Sequence, residues 1–277
     1  MNARKIDMND WTLFGGGAVG ESFNHVSDPA LMLKLYFETY PKERVLQELE
    51  LANAVKNMGI TTPEPGEFVT DGSRYGIIFR RILNKKSFSR AIADDASLLE
   101  PLVKRFAEMC RKLHATKCTA KNIPSYKDFY LEVLKENTYI AESDKPIIAE
   151  RIKQMPDAHY CVHGDLHIGN VITDGNKDYF IDLGEFMSGN PLIDISMMYF
   201  VTHTDNPFTE HVFHLKPATM HKVWEVFFPA YFGEGADEAA IVEEMGPYFA
   251  LRTIAMEVDA NRTEPEFEVA RKKYLLY

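Results

Sequence analysis

The segment from Cys161 to Asp194, CVHGDLHIGNVITDGNKDYFIDLGEFMSGNPLID, constrains the fold of this chain more than any other stretch. Asn170 follows Asp165 at a spacing of five, and Asp182 then stands in a D-L-G turn. Between Asn170 and Asp182, two short apolar runs flank D-G-N, which predicts a β-hairpin. We therefore expect Asp165, Asn170 and Asp182 to lie at one end of that hairpin.

Three oxygen-bearing side chains in this arrangement suit a hard divalent cation and a phosphate. Mg²⁺ takes one or two protein ligands and completes its octahedron with water and phosphate oxygens. An aspartate that approaches the metal without binding it can orient an attacking hydroxyl and accept its proton. The D-x-x-x-x-N spacing followed by D-x-G is the arrangement of protein-kinase-like phosphotransferases.

The full motif set is H-G-D-L-H-x-G-N, I-D-x-G and G-x-P-x-x-D, and it resembles that of the aminoglycoside phosphotransferase and choline kinase-like family. The resemblance implies an α+β, two-lobed, protein-kinase-like fold. Residues 1–82 would form an N-lobe with a small antiparallel sheet and one helix, and residues 83–277 a larger, mainly helical C-lobe. It also implies Asp165 as the catalytic residue, Asn170 and Asp182 as Mg²⁺ ligands, and Asp194 as a brace for the catalytic loop.

Two histidines in the motif need a separate interpretation. His163 and His167 are four residues apart, which would suit a zinc pair on a helix, but Gly164 and Gly169 interrupt any helix there. We expect His163 to hold the loop through hydrogen bonds. For His167, both a structural role and a place in the site stay open.

Near the start of the chain, Gly15, Gly17 and Gly20 fit G-x-G-x-x-G. A dinucleotide-binding fold requires a helix to open at the third glycine, whereas residues 21–26 favour a strand and run into an Asp-Pro turn. We interpret the glycines as a hairpin that folds over nucleotide phosphates, where the missing Cβ lets backbone amides approach. A plain flexible turn is the alternative.

Lys34 is a lone charge in the apolar run LMLKLY, which is costly without an anionic partner or water. The resemblance implies that Lys34 contacts nucleotide phosphates and pairs with a glutamate of the following helix. In the family that glutamate stands fifteen residues before a proline. Counting back from Pro63 gives Glu48, with Glu50 as the second choice.

The strand RYGIIFRRI should end at the connection between the lobes. The resemblance implies that backbone groups near Phe79 to Ile82 contact the adenine, and Phe79 and Arg81 are the residues assigned to this contact. Arg80 and Arg81 are unusual at such a connection. Whether they are solvated or alter the choice between ATP and GTP stays open.

Further helices are predicted in the C-lobe from apolar residues at helical spacing. They cover 94–114, 125–140, 144–155, the run after Asp194, 221–232 and 238–260. His114 at the end of the first is expected to pack beneath the catalytic loop. Glu257 and Asp259 interrupt an otherwise apolar helix and could face a cationic acceptor.

Composition excludes several classes of protein. The net charge is −10, whereas a general nucleic-acid binder needs a basic face. The sequence contains no run of about 18 apolar residues, so it predicts no membrane span. Its start lacks the apolar core of a secretory signal. Three widely spaced cysteines argue against a disulfide framework and suit a reducing compartment, so a cytoplasmic location is expected.

These features together predict a phosphotransferase that moves the γ-phosphate of ATP, or of GTP, to an alcohol group of a small molecule with the help of Mg²⁺. A protein kinase is disfavoured because Gly164 replaces the arginine before Asp165 and only eleven residues separate Asp182 from Asp194. Aminoglycosides, amino alcohols and sugars are candidate acceptors, and the acidic surface favours a cationic one. The alternative is a regulatory module that binds nucleotide without turnover. The oligomeric state is not predicted.

Overall fold

The computed structural model describes residues 2–17, 19–204, 207–261 and 263–277. The chain forms two compact units. Unit 1 comprises the chain through Lys86 and the segment Val171–Gly184, and unit 2 comprises Ser87–Asn170 and Glu185–Tyr277. The prediction placed 171–184 with the second lobe; the structure groups it with the first, where Phe180 donates a backbone hydrogen bond of 2.9 Å to the Thr61 carbonyl.

Unit 1 is built on a six-stranded sheet with the strand order β1-β5-β6-β4-β3-β2. Its strands are β1 (Arg4–Lys5), β2 (Trp11–Gly16), β3 (Gly20–His25), β4 (Leu31–Tyr36), β5 (Pro65–Thr70) and β6 (Tyr75–Arg80). Neighbouring strands are antiparallel except for β1, which pairs parallel to β5 with Arg4 opposite Val69. The predicted antiparallel sheet thus carries one short parallel strand at its edge.

One helix, α1 (Lys42–Asn57), packs on this sheet. It begins after Pro41, whose ring fixes φ for a helix start, and ends before Gly59, which adopts a φ of 81°. Val45 and Leu49 face the sheet and form a buried cluster with the strand residues Tyr36, Phe68 and Ile77. A second cluster lies around Trp11, Phe23, Leu33 and Val69.

The predicted hairpin after Asn170 is confirmed. It consists of β9 (Val171–Thr173) and β10 (Asp178–Phe180), which pair antiparallel. Its turn is held by Asp174, whose carboxylate accepts backbone hydrogen bonds of 2.8 Å from Asn176 and from Lys177. Gly175 adopts a φ of 94° in this turn, a conformation that favours glycine.

Unit 2 is mainly helical. After β7 (Lys86–Ser87), its elements are α2 (Phe88–Asp94), α3 (Leu99–Ala115), α4 (Tyr126–Glu136), α5 (Lys145–Gln154), β8 (Tyr160–Val162), β11 (Met187–Gly189), α6 (Leu192–His203), α7 (Pro207–Phe213), α8 (Pro217–Phe232), α9 (Glu238–Ala260) and α10 (Pro265–Arg271). The predicted α+β architecture, a sheet with one helix and a larger helical unit, is confirmed. The helices and strands that were not predicted from the sequence contain too few residues to show a hydrophobic period.

Helix α3 shows how the apolar period produces the core of unit 2. It begins at Leu99, later than expected, because Asp95 first caps a 3₁₀ turn at Ala96–Leu98. Phe106 is fully buried and its ring lies 5.5 Å from that of Phe227 on α8. Over the described residues, no helix is long and apolar enough to cross a bilayer.

Replacing Phe106 by alanine should lower the free energy of unfolding by about 3–5 kcal/mol, because a buried aromatic ring is lost and a cavity remains. Urea denaturation followed by circular dichroism measures this loss. Lys104→Ala on the exposed side of the same helix is the control and should change stability by less than about 0.5 kcal/mol. Equal effects of the two substitutions would contradict the assignment of Phe106 to the core.

Candidate active site

The catalytic loop is fixed by the buried carboxylate of Asp194 in the first turn of α6. Its Oδ2 accepts hydrogen bonds from the His163 backbone N–H at 2.7 Å and from His114 Nε2 at 2.9 Å. Its Oδ1 accepts one from the Gly164 N–H at 2.8 Å. Three donors therefore satisfy a charge that would be costly to bury alone, and they fix the backbone that leads into Asp165.

Gly164 cannot be exchanged for a larger residue without moving the loop. Its φ is 88°, and a Cβ built on it would lie 2.3 Å from the Glu185 carbonyl oxygen. Both the backbone conformation and the close approach require glycine. The sequence difference from protein kinases at this position thus has a steric cause within unit 2.

Asp165 is held by two neighbours from its own loop. Asn170 Nδ2 donates to the Asp165 carbonyl at 2.9 Å and to Oδ2 at 3.1 Å, and His167 Nε2 lies 3.5 Å from Oδ2. Burial raises the pKa of Asp165, but the combined effect of His167, Arg252 and His163 is larger and brings it below the usual range. The carboxylate is therefore ionised at neutral pH.

Asn170 ends the 3₁₀ turn Ile168–Asn170. Both of its hydrogen bonds to Asp165 use Nδ2, which leaves the amide oxygen, the atom that a hard cation binds, on the other branch of the side chain. Among the described residues no group of three or more His, Cys, Asp or Glu side chains could hold a metal. A Mg²⁺ ion needs fewer protein ligands than that, so Asn170 fits the predicted role.

His167 also has a structural function. Its Nδ1 accepts a hydrogen bond of 3.1 Å from the Gly169 N–H, and its ring lies 4.7 Å from the ring of Phe213. Both roles that the sequence left open for His167 are thus present in the structure: it shapes the loop and it lies beside Asp165.

Unit 1 contains a cavity of about 590 Å³. Five residues predicted from the sequence line it: Lys34, Glu48, Phe79, Arg81 and Asp182. They come from β4, α1, the end of β6 and the segment after β10, which are far apart in the sequence. Asp182 adopts a φ of 60°, a left-handed conformation that aspartate tolerates better than most residues.

Lys34 and Glu48 are in direct contact. Lys34 Nζ lies 2.7 Å from Glu48 Oε1, and both side chains are about one-quarter exposed, at 31% and 23%. Lys34 Nζ also lies 4.8 Å from the centre of the Tyr36 ring. Burial and the nearby Glu48 raise the pKa of Tyr36 well above its usual range, so its phenol stays neutral. The lysine is the charged donor at this end of the cavity.

The three glycines of the predicted phosphate loop have different surroundings. Gly20 is the first residue of β3, and a Cβ there would lie 2.5 Å from the Leu35 carbonyl oxygen. Around Gly15 there is open space, and Gly17 meets only the Gly20 oxygen at 4.0 Å. Ala18 lies outside the described residues. None of the three lines the cavity, whereas Phe14 does.

Two backbone donors at the connection after β6 are paired within unit 1. The N–H of Arg80 donates to the Glu64 carbonyl at 2.9 Å, and the N–H of Arg81 donates to the Ala30 carbonyl at 2.7 Å. These donors are therefore used inside unit 1, because the sheet continues past the end of the strand. Ile82, the last residue of the predicted adenine contact, also lines the cavity.

A charged cluster in unit 2 was missed by sequence reasoning. Arg252, almost fully buried in α9, donates to the carboxyl group of Glu185. Burial raises the pKa of Glu185 to about 8, with further increases from Asp259 and Asp165 and an opposing effect of Arg252. A lone arginine in the apolar run FALRTIAM was the available signal. The cluster places Glu185 in the electrostatic surroundings of Asp165, and Asp259 next to Glu185.

The suggestion that Glu257 faces an acceptor is wrong. Its side chain is fully buried, and its carboxylate accepts from Arg271 Nη1 at 2.9 Å and from Asn137 Nδ2 at 2.8 Å. Thr263 donates to it as well. Glu257 joins α9 to α10 and to the end of α4, while Asp259, two residues on, is exposed.

Comparison with known proteins gives the family. The model of a family described as the phosphotransferase enzyme family matches residues 10–218. The chain belongs to this family. A search of curated protein sequences gave no match.

Solved structures of the same fold include a thermostable mutant of aminoglycoside phosphotransferase APH(4)-Ia, with 16% identity, a TM-score of 0.62 and coverage of 95% of this chain and 92% of that one. Amicoumacin kinase hAmiN in complex with AMP-PNP, Ca²⁺ and Ami has 15% identity, a TM-score of 0.58 and coverage of 98% and 88%. A choline/ethanolamine kinase family protein from Mesorhizobium loti has 16% identity, a TM-score of 0.52 and coverage of 95% and 85%. The family resemblance and the fold class predicted from the sequence are confirmed.

Asp194→Ala should lower the free energy of unfolding by about 3–5 kcal/mol, because three buried donors lose their acceptor. Hydrogen exchange should show faster exchange at the His163 and Gly164 amides. Asp157→Ala, an exposed aspartate of the same unit, is the control and should change little. Unchanged exchange at residues 163 and 164 would contradict the bracing role.

The raised pKa of Glu185 makes stability depend on pH. The folded protein keeps a proton that the unfolded chain releases above pH 4.5, the ordinary value. Stability from this group is therefore fully present below pH 4.5 and is lost as the pH rises to about 8, by up to about 5 kcal/mol. Thermal unfolding at a series of pH values should show a flatter profile for Glu185→Gln, but not for the exposed control Glu150→Gln. Parallel profiles of wild type and Glu185→Gln would contradict the assignment.

Proposed function

We propose that this protein is an ATP-dependent phosphotransferase that moves the γ-phosphate to a hydroxyl group of a small molecule. The observation that carries this proposal is the braced loop, in which Asp194 fixes the backbone and Asn170 holds an ionised Asp165. Phosphoryl transfer needs positioning and charge neutralisation more than covalent chemistry, and a rigid carboxylate supplies positioning. The odd number of cysteines and their wide spacing in the sequence are typical of a protein in the reducing cytoplasm, where ATP is supplied.

The unit 1 cavity is proposed as the nucleotide site. Its volume lies in the range of small-molecule sites. Lys34 would contact the phosphates, and Glu48 keeps the ammonium group in place through the 2.7 Å contact. Gly15, Gly17 and Gly20 would lie over the phosphates on the β2–β3 hairpin, and Phe79, Arg81 and Ile82 would flank the base. GTP is the second candidate nucleotide.

Mg²⁺ is proposed to bind Asp182 and Asn170, through one carboxylate and one amide oxygen. When bound, the ion neutralises charge on the phosphate oxygens. Asp182 lines the cavity that also contains Lys34, and the Asn170 amide oxygen is not used in the hydrogen bonds to Asp165. Both side chains thus present oxygen, which is the ligand atom that this metal prefers.

Asp165 is proposed to orient the acceptor hydroxyl. Because its pKa is low, it is a weak base toward a free alcohol. The proton of the hydroxyl becomes acidic only as the bond to phosphorus forms, so the carboxylate would accept it late in the transfer. Until then the carboxylate accepts a hydrogen bond from the hydroxyl, and an ionised carboxylate is a strong acceptor.

The acceptor is proposed to carry an amino group. Glu185 is hydrogen-bonded to the exposed Asp259 and lies within electrostatic reach of Asp165. A cation placed at this pair would release the proton that Glu185 holds and gain two negative partners. Aminoglycosides and amino alcohols have this combination of ammonium and hydroxyl groups, and sugars lack it.

Transfer of labelled γ-phosphate from Mg-ATP to a panel of aminoglycosides, amino alcohols and neutral sugars tests the proposal. Wild-type protein should label at least one amino-bearing acceptor. Asp165→Asn should keep nucleotide binding and lose transfer by a factor on the order of 10³ or more. Asp182→Ala should lose the Mg²⁺ dependence of ATP binding.

The exposed Asp157→Asn serves as a control and should transfer at the wild-type rate. Normal turnover in Asp165→Asn would remove Asp165 from the mechanism. Absence of Mg-ATP binding to wild-type protein would refute the phosphotransferase proposal itself.

A further inference from the structure

Cys118 and Cys161 lie on neighbouring extended segments of unit 2. The backbone N–H of Cys118 donates to the His159 carbonyl, and that of Cys161 donates to the Thr116 carbonyl, both at 2.9 Å. These two bonds flank an antiparallel bridge between Lys117 and Tyr160. Because side chains alternate between the two faces of extended chain, both cysteines project to the face opposite Lys117 and Tyr160.

Contacts on both faces agree with this register. On one face, Lys117 Nζ lies 3.5 Å from the centre of the Tyr160 ring. On the other, the thiols of Cys118 and Cys161 are joined by a hydrogen bond. Ser188 stands opposite Cys161 on β11 and also hydrogen-bonds to Cys118. The two cysteines therefore share one face, on the diagonal across the Lys117–Tyr160 bridge, and their side chains are close enough to hydrogen-bond.

The two thiols differ in exposure and acidity. Cys161 is buried, while Cys118 is partly exposed, so that a small reagent reaches Cys118. The hydrogen bond from Cys161, helped by Ser188 and the Ala120 N–H and opposed by burial, lowers the pKa of Cys118 to about 7. The same hydrogen bond, with burial, raises the pKa of Cys161. This is the asymmetry of an attacking thiolate with a second thiol ready to resolve it.

We propose that Cys118 and Cys161 form an oxidation site at which a hydroperoxide converts the two thiols into a reversible disulfide. The Cys118 thiolate attacks the terminal oxygen of the hydroperoxide, the O–O bond breaks, and a sulfenic acid and an alkoxide form; the alkoxide takes a proton from water. The Cys161 sulfur then attacks the Cys118 sulfur, the S–O bond breaks, and hydroxide leaves as water with the Cys161 proton. Two thiols and one hydroperoxide thus give one disulfide, one alcohol and one water.

This site is separate from the groups assigned to phosphoryl transfer, and the proposal does not rest on that function. Cys161 precedes His163 by two residues in the strand that leads into the catalytic loop. A disulfide would tie this strand to the segment that follows α3. A thiol reductant restores both cysteines by exchange, which is compatible with a reducing compartment.

The test uses the full-length protein with hydrogen peroxide at one equivalent, followed by alkylation of remaining thiols and peptide mapping. Wild-type protein should lose two of its three alkylatable thiols and two hydrogens in mass, and should yield a peptide pair linked through Cys118 and Cys161. Dithiothreitol should reverse the change. A linkage to Cys110, cross-links only between chains, or no thiol loss at all would overturn the proposal.

Single substitutions assign the two roles. Cys161→Ser should leave a sulfenic acid at Cys118 that reacts with dimedone, and Cys118→Ser should leave Cys161 unmodified. Cys110→Ser is the matched control, because burial in α3 raises the pKa of that thiol well above its ordinary value. It should form the disulfide at the wild-type rate. Loss of the disulfide in Cys110→Ser, or oxidation of Cys161 at the wild-type rate in Cys118→Ser, would contradict the assignment. The peptide map of the wild type decides if a variant does not fold.

Discussion

The buried carboxylate of Asp194 is the interaction on which the proposed chemistry depends. This carboxylate accepts hydrogen bonds from the N–H groups of His163 and Gly164 and from the ring of His114. A helix, a loop and a second helix are therefore joined through one charged group. Such a charge is tolerated in the interior only when its lone pairs are occupied. The consequence is a loop whose backbone cannot relax, which suits a reaction that depends on positioning.

Charge is arranged differently in the two units. In unit 1, Lys34 is partly exposed in a cavity and has Glu48 as its partner, which leaves the ammonium group free to exchange partners with a phosphate. In unit 2, Arg252 is almost fully buried against Glu185 and acts on Asp165 at a distance. The first arrangement suits binding of an anion from solution, and the second sets the protonation of carboxyl groups.

Motif spacing predicted much of the candidate site because each motif is local in the sequence. The hairpin after Asn170 and the helix before Gly59 follow from turn residues and apolar period alone. The Lys34 to Glu48 contact follows from family spacing and is present in the structure. The pairing of the connection after β6 was less predictable, since the N–H groups of Arg80 and Arg81 donate to Glu64 and Ala30, partners that no local pattern reveals.

The sequence by itself determined the family, the α+β architecture and the identity of the motif residues, because these depend on short spacings and on periodicity. Only the tertiary structure decided which polar residues lie together across long separations. In the structure Glu257 forms an ion pair with Arg271, Glu185 accepts a hydrogen bond from Arg252, and Cys118 is hydrogen-bonded to Cys161. Those pairings depend on how helices and strands pack, and a buried charge or thiol in a sequence does not identify the partner that satisfies it.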